Sequence, residues 1–214
     1  MRIFASADIH GKEGRITDLE NLVKNYQPDL LLLAGDITGI FSKKRTLKRI
    51  GSLPVPVFAV RGNSEIFLDD NDLTDHKIHS LHLAFVKKDG FRFSGISGTI
   101  PLPFNSRLAF KESELKKKLA ALIDRNTILL VHPPPRGIRD KVLDIAHAGS
   151  RLVRKLVDQY QPLMLICGHI HENAGITIRE NTMIVNCSMY REIKGVLIDL
   201  ERPGLTPKAC ILKG

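Results

Sequence analysis

The chain has 214 residues, 43% hydrophobic and 26% charged, the make-up of an ordinary globular protein with room for one full core or two small ones. No apolar run approaches the ~18 residues of a membrane-spanning helix, so a helical membrane protein is excluded and no membrane role is expected. The formal charge of +9 gathers in Lys43, Lys44, Arg45, Lys48 and Arg49 and again in Lys116, Lys117 and Lys118. With no helix-turn-helix, zinc-finger or RNA-recognition motif beside them, these runs read as solvated helix faces, and specific nucleic-acid binding is not expected.

Arg2 to Ala7 has the apolar character of a strand and leads directly into Asp8-Ile9-His10-Gly11, with no signal-peptide pattern. Ile16, Leu19, Leu22 and Val23 recur at helical spacing, and that helix ends before Pro28. Leu30 to Leu33, four leucines in a row, reads as a strand of a parallel sheet covered on both faces, and it stops at Gly35-Asp36. A basic helix around Ser42 to Ile50 follows, then a strand over Val55 to Val60 that ends in Arg61-Gly62-Asn63-Ser64-Glu65. This strand-helix alternation predicts parallel strands joined by right-handed crossovers.

Asp69 to Asp75 is polar and reads as a solvated loop, without the ligand spacing of a calcium site. From His79 to Ile100 the pattern alternates, with Lys88-Asp89-Gly90 as a hairpin turn. A helix over 112–123 carries Leu115, Leu119, Leu122 and Ile123 on one side, and Thr127 to Val131 is a strand ending in His132-Pro133. Ser150 is the expected N-cap of a helix bearing Leu152, Val153, Leu156 and Val157. The strand Leu163 to Cys167 ends in Gly168-His169-Ile170-His171, and the tail from Ala174 to Leu212 reads as short strands broken at Glu180-Asn181, Gly195 and Pro203-Gly204. Cys167, Cys187 and Cys210 are odd in number and scattered, which suits a reducing cytoplasm and gives neither a disulfide framework nor a cysteine-based zinc site. A single domain over residues 1–214 is expected, with two sheets face to face and helices outside.

Five of these strands end in Asp8 and His10, Asp36, Asn63, His132, and His169 and His171. Ligands bind at the carboxyl ends of strands in open α/β sheets, so these side chains face one site. Residues two apart on an extended chain point to the same side, which lets Asp8 reach in with His10 and His169 with His171. Each residue singly is an ordinary turn or core polar group, but seven at successive strand ends form a metal-ligand set. Carboxylate, imidazole and amide donors without sulfur suit manganese, iron, zinc or nickel, and they are too many for one open catalytic ion. They suit two ions ~3.5–4 Å apart sharing a carboxylate. His76, His79 and His82 lack the pattern; His147, just before Gly149-Ser150, is a candidate for a substrate loop.

Asp8-x-His10, Gly35-Asp36, Gly62-Asn63, His132 and Gly168-His169-x-His171 resemble, in order, the motif series of the calcineurin-like metallophosphoesterases. The run around His132 and Gly168 to Glu172 is similar to that of small members such as class III cyclic-nucleotide phosphodiesterases. The resemblance implies a four-layer α/β/β/α sandwich with two mixed sheets and a dinuclear centre, manganese first among the metals. Asp8, His10, Asp36 and His171 would hold one ion. Asp36, Asn63, His132 and His169 would hold the other, with Asp36 bridging and Asp36, Asn63 and His132 central to catalysis. The reaction implied is metal-assisted hydrolysis of a small phosphate ester, a diester first. The alternatives are a catalytically weak metal-bound scaffold for a protein partner, or a nuclease. The departure is Ser64, where the family usually has the histidine thought to protonate the leaving group. Arg61, Arg136 and Arg139 lie in loops beside the ligands and are candidates, with Ser64 and His147, to contact the substrate.

Overall fold

The computed structural model describes residues 1–39, 41–65, 67–98, 112–143 and 145–214, the side chains of 112–116 excepted. Leu115 and Lys116, and residues 99–100 of the alternating stretch, therefore lie outside what is described. The chain runs β1 (Arg2–Ser6), α1 (Glu13–Tyr26), β2 (Leu30–Ala34), α2 (Lys43–Gly51), β3 (Val57–Val60), α3 (Asp70–Asp75), β4 (Ile78–Ser80), β5 (Phe85–Lys88) and β6 (Phe91–Ile96). It continues with α4 (Glu112–Leu122), β7 (Thr127–Val131), β8 (Lys141–Val142), β9 (Ala146–His147), α5 (Arg151–Tyr160) and β10 (Met164–Cys167). A 3-10 turn, His171–Asn173, precedes β11 (Gly175–Arg179), β12 (Thr182–Asn186), β13 (Ile193–Asp199) and β14 (Lys208–Lys213).

Among the described residues the strands form two six-stranded mixed sheets, ordered β14-β13-β1-β2-β3-β4 and β11-β12-β10-β7-β6-β5, with β8 and β9 as a separate small hairpin. The leucines of β2 show why the layers stack. Leu30 and Leu32 enter the apolar interior between the sheets, where they share a cluster with Ile128, Leu130, Met164 and Ile166. Leu31 and Leu33 point the other way, onto Ile16, Leu19, Leu47 and Ile50 of α1 and α2. Leu129 and Leu165 meet Leu119, Leu152, Val153, Leu156 and Val157 of α4 and α5 on the outer face of the second sheet. Because side chains alternate along a strand, a continuous apolar run is buried on both sides only between two such layers. The four-layer sandwich follows.

Several local expectations are met in detail. Asp89 and Gly90 both adopt positive φ, 50° and 82°, as a two-residue hairpin loop between twisted strands requires. The Ser150 side chain accepts a hydrogen bond from Val153 N and caps α5. The basic face of α2, expected to be solvated, is instead partly docked: Lys43 pairs with Asp72, Arg45 with Glu13, and Arg49 with Glu13 and Glu20.

Two further expectations need correction. The stretch read as a loop at 69–75 contains α3, held by a reciprocal cap in which the Asp69 carboxylate accepts from Asp72 N and the Asp72 carboxylate from Asp69 N, both at 2.9 Å. A helix of six residues with a single buried apolar side chain, Leu73, shows no periodicity to read. Gly195 does not break the tail; it lies inside β13 at a register shift, with its absent Cβ leaving room for Phe4 and Ala5.

Candidate metal centre

β1, β2 and β3 are parallel neighbours in one sheet, as are β7 and β10 in the other, so their carboxyl ends lie together. The bends that follow are tight. Asp8, His10, Asp36 and His169 all adopt left-handed backbone, with φ of 61°, 53°, 51° and 72°. The sequence reading, in which extended chain aims Asp8 with His10 and His169 with His171 inward, is therefore wrong in its geometry. The chain has already left the strand at Asp8, and left-handed turns aim the side chains. Such conformations cost of order ~1–3 kcal/mol each in residues other than glycine and persist only where the surroundings hold them.

The surroundings do hold them. Asp8 N donates to Gly35 O at 3.0 Å, His10 N to Asp36 O at 2.7 Å and Gly11 N to Ile37 O at 3.0 Å, lacing the two loops together. The Arg15 guanidinium donates to Asp8 O, and His169 N donates to Asp8 Oδ2 at 2.9 Å. Glu65, fully buried, accepts from Ile37 N and Thr38 N through Oε1 and from Gly62 N through Oε2. It thus clamps the loop after Asp36 to the turn before Asn63, although burial pushes its pKa up. Asn186 donates to Ile170 O at 2.9 Å and steadies the loop carrying His169 and His171. Packing is close enough that a Cβ on Gly62 would stand 2.1 Å from Asp36 Oδ1, and one on Gly35 would stand 2.5 Å from His132 Nδ1. Arg15, Glu65 and Asn186 were not singled out from sequence. Glu65 had a signal, its place in Gly62-Asn63-Ser64-Glu65; Arg15 on a helix and Asn186 on a strand had none.

The donor atoms converge. His10 and His171 pack edge to face with centroids 5.5 Å apart, and His132 and His169 do the same at 5.0 Å. The carboxylates stand among these pairs: Asp36 Oδ2 is 3.6 Å from His10 Nε2 and 3.5 Å from His132 Nε2. Asp8, His10 and His171 form one group with the spacing to hold an ion, and Asp8, Asp36 and His132 another.

The chemistry of the donors asks for a cation. His132 Nδ1 lies 2.8 Å from Ala34 O, a pure acceptor, so it carries a proton and leaves Nε2 as the atom that faces the site. Nε2 lies 3.0 Å from Asn63 Oδ1 and 3.5 Å from Asp36 Oδ2, so a metal ion there would take the place of a proton. Asp8 Oδ1 is buried, faces His171 Nε2 at 3.1 Å and accepts no well-directed hydrogen bond. Burial opposes ionisation of Asp8, yet His171 and His132 keep its pKa low. Burial likewise opposes ionisation of Asp36, which His132 and two hydrogen bonds from Ser64 outweigh. Burial, with His132 beside it, lowers His169 to about 4, and burial also lowers His10, leaving both rings neutral as ligands must be.

His132 moves the other way. Burial disfavours its charged form, but Asp36 and Asp8 outweigh burial and raise it to about 9. In an unfolded chain imidazole titrates near ~6.5. Since the folded value is the higher, protonation stabilises the metal-free fold; the contribution is complete below about 6.5 and lost as pH rises through about 9. Thermal melting in chelator is expected to show falling stability over that window, and a flat or rising profile would contradict it.

The residues suggested for substrate contact fare differently. Ser64 is at the centre, its N–H donating to Asp36 Oδ1 at 2.8 Å and its hydroxyl to Asp36 Oδ2 at 2.7 Å. Arg61 is turned away, donating to Leu68 O and pairing with Asp70. Arg136 donates to His147 O, and Arg139 donates to Thr177 Oγ1, bracing β11. His147 is exposed on β9 and bonded through Nδ1 to the buried Asp140 at 2.7 Å.

Comparison with known proteins shows the family. Residues 1–173 match the model of the calcineurin-like phosphoesterases. The chain belongs to that family. Its members are metal-dependent phosphoesterases, and the matched span includes all seven candidate donors. An uncharacterised protein of Methanocaldococcus jannaschii, MJ1162, is 28% identical over 199 residues, covering 88% of each chain. A probable glycerophosphodiester phosphodiesterase, GpdQ, of Arcobacter nitrofigilis is 28% identical over 156 residues, which are 68% of this chain and 57% of that protein. The crystal structure of TT1561 from Thermus thermophilus superposes with a TM-score of 0.69 at 16% identity, covering 92% of this chain and 93% of the other. Among the described residues of this calcineurin-like protein, no helix is long and apolar enough to cross a membrane.

Proposed function

We propose that this calcineurin-like protein is a dinuclear, manganese-dependent phosphodiesterase acting on a small diester. The observation carrying this reading is the pairing of His10 with His171 and of His132 with His169 around two carboxylates, with Asp36 Oδ2 within 3.6 Å of one ring from each pair. Asp8, His10, Asp36 and His171 would hold one ion, and Asp36, Asn63, His132 and His169 the other. Bound there, divalent ions supply Lewis acidity to the phosphoryl oxygens and lower the pKa of water toward ~7.

The chain's own part is positioning. Ser64 fixes both oxygens of Asp36, Glu65 fixes the loops that carry Asp36 and Asn63, and Asn63 itself is exposed. A diester monoanion brings less charge to this centre than a monoester dianion, and a site lacking an imidazole at position 64 suits esters whose leaving group departs without a proton. GpdQ, named as a probable glycerophosphodiester phosphodiesterase, supports the diester reading by kinship. The donors, oxygen and imidazole nitrogen without sulfur, admit manganese together with iron, zinc and nickel. A panel of phosphate mono- and diesters assayed with manganese, iron, zinc and nickel tests it. The expected result is fastest turnover of bis-p-nitrophenyl phosphate with manganese; no hydrolysis with any metal would overturn the proposal.

A further inference from the structure

A groove of about 760 Å³ opens beside His171, walled by Tyr190, Arg191, Glu192, Glu172 and Lys213. Four of these, Tyr190, Arg191, Glu192 and Lys213, lie beyond residue 173, where the family match ends. The wall is thus built by the C-terminal part of this chain. It is also firmly placed. Ser188 bridges to Ala7 and Met189 N donates to Ala7 O at 3.0 Å, registering the loop one residue from Asp8. Tyr190 and Ile193 then close a two-residue turn through reciprocal backbone bonds of 3.1 and 2.9 Å, with Arg191 at φ 51°. The Tyr190 ring comes to rest 6.1 Å from that of His171.

The cations of this wall differ from the paired ones elsewhere. The Arg191 guanidinium lies over the Tyr190 ring, 5.2 Å from its centroid, and Lys213, the strand partner of Ile193, lines the same groove. Neither makes an ion pair within 4.0 Å among the described residues, whereas Lys43, Arg49, Arg154, Lys194 and Lys208 all do. A guanidinium resting over an aromatic face and making no ion pair has N–H groups available for bidentate contact with an oxyanion. A fork and a point charge together match a phosphate, which carries about −1.5 to −2 near neutral pH, better than a singly charged carboxylate. Glu172 is engaged by Leu143 N at the β8–β9 hairpin, while Glu192 is left on the rim as a like charge that an anion must approach.

We propose that this groove receives one ester arm of the diester and that Arg191 and Lys213 bind a second phosphate carried on that arm. The inference rests on the phosphodiesterase reading and deepens it. Two substrates that release the same chromophore test it on the whole protein supplied with manganese at fixed ionic strength: thymidine 5′-(p-nitrophenyl phosphate) and its 3′-phosphorylated counterpart. The expected result is a kcat/KM at least about tenfold higher for the phosphorylated substrate, expressed in KM. R191Q and K213Q should each reduce that ratio, and E192Q should raise it, a direction that a merely structural role for the turn would not produce. Equal kcat/KM values in the wild type, or a ratio that survives R191Q and K213Q combined, would overturn the subsite. Should neither compound be hydrolysed, the phosphodiesterase reading fails by itself, and calorimetry still reads the groove. Thymidine 3′,5′-bisphosphate should bind about tenfold more tightly than thymidine 5′-phosphate in the wild type and not in R191Q; equal affinities would overturn the inference.

Discussion

Asp36→Asn is expected to lower bound manganese from two ions per chain to one or none and to reduce hydrolysis of bis-p-nitrophenyl phosphate by roughly 10³-fold or more. The change keeps the size of the side chain and removes its charge. Asp36 Oδ2 lies within 3.6 Å of His10 Nε2 and His132 Nε2, so its loss touches both halves of the centre at once. A second readout follows from the same charge. Asp36 is the foremost of the groups that raise His132 to about 9 against its burial. Without that carboxylate the His132 pKa falls, and the loss of metal-free stability between about 6.5 and 9 should shrink or vanish. Metal analysis, diesterase assay and melting curves over pH together check this. An Asp36→Asn protein that keeps both ions and its full rate would refute the shared ligand.

The second large effect is expected at Ser64. A serine hydroxyl is far too weakly acidic to protonate a leaving group near neutral pH as imidazole does. General-acid assistance is worth ~10²–10⁴ in rate and matters most for poor leaving groups. The wild type should therefore be fast on p-nitrophenyl esters and slow on alkyl esters, monoesters above all. Ser64→His should raise turnover of alkyl esters by up to roughly that factor while changing p-nitrophenyl esters little by comparison. Ser64 also has a positioning role, since its N–H and hydroxyl hold both oxygens of Asp36. Ser64→Ala separates the two effects: it removes the hydroxyl bond to Asp36, so it should weaken manganese affinity while leaving the steep dependence on leaving group in place. A wild type that already prefers alkyl monoesters would refute the reading of position 64 as the missing acid. Another group, with His147 on its bond to Asp140 the first to examine, would then have to supply the proton.

What the sequence determined by itself was the set of layers and the candidates for the donors. Leu30 to Leu33, buried on alternating sides between the second sheet and the helices α1 and α2, is legible as a run because a strand covered on both faces has no polar side to show. Asp8, His10, Asp36, Asn63, His132, His169 and His171 are legible because strand ends are punctuated by glycine and proline, and polar residues recurring at such ends need a common cause.

Only the tertiary structure decided how the donors are aimed and what holds them. The left-handed backbone at Asp8, His10, Asp36 and His169 is stabilised by partners distant in sequence, such as Ser64 on Asp36 and Asp8 on the N–H of His169, and local residue preference does not announce it. Glu65 and Asn186 take their roles from loops far off in sequence that sheet pairing brings beside them, and Arg15 from the turn that folds Asp8 back over α1. The same is true of arginine. Arg61, Arg136 and Arg139 stand beside ligands in sequence yet bond to structural carbonyls and side chains, while Arg191, far from any motif, lies in the groove beside His171. Sequence distance orders the strands. It is the packing of one sheet on the other, which brings β7 and β10 against β1 and β2, that selects which charges face the centre.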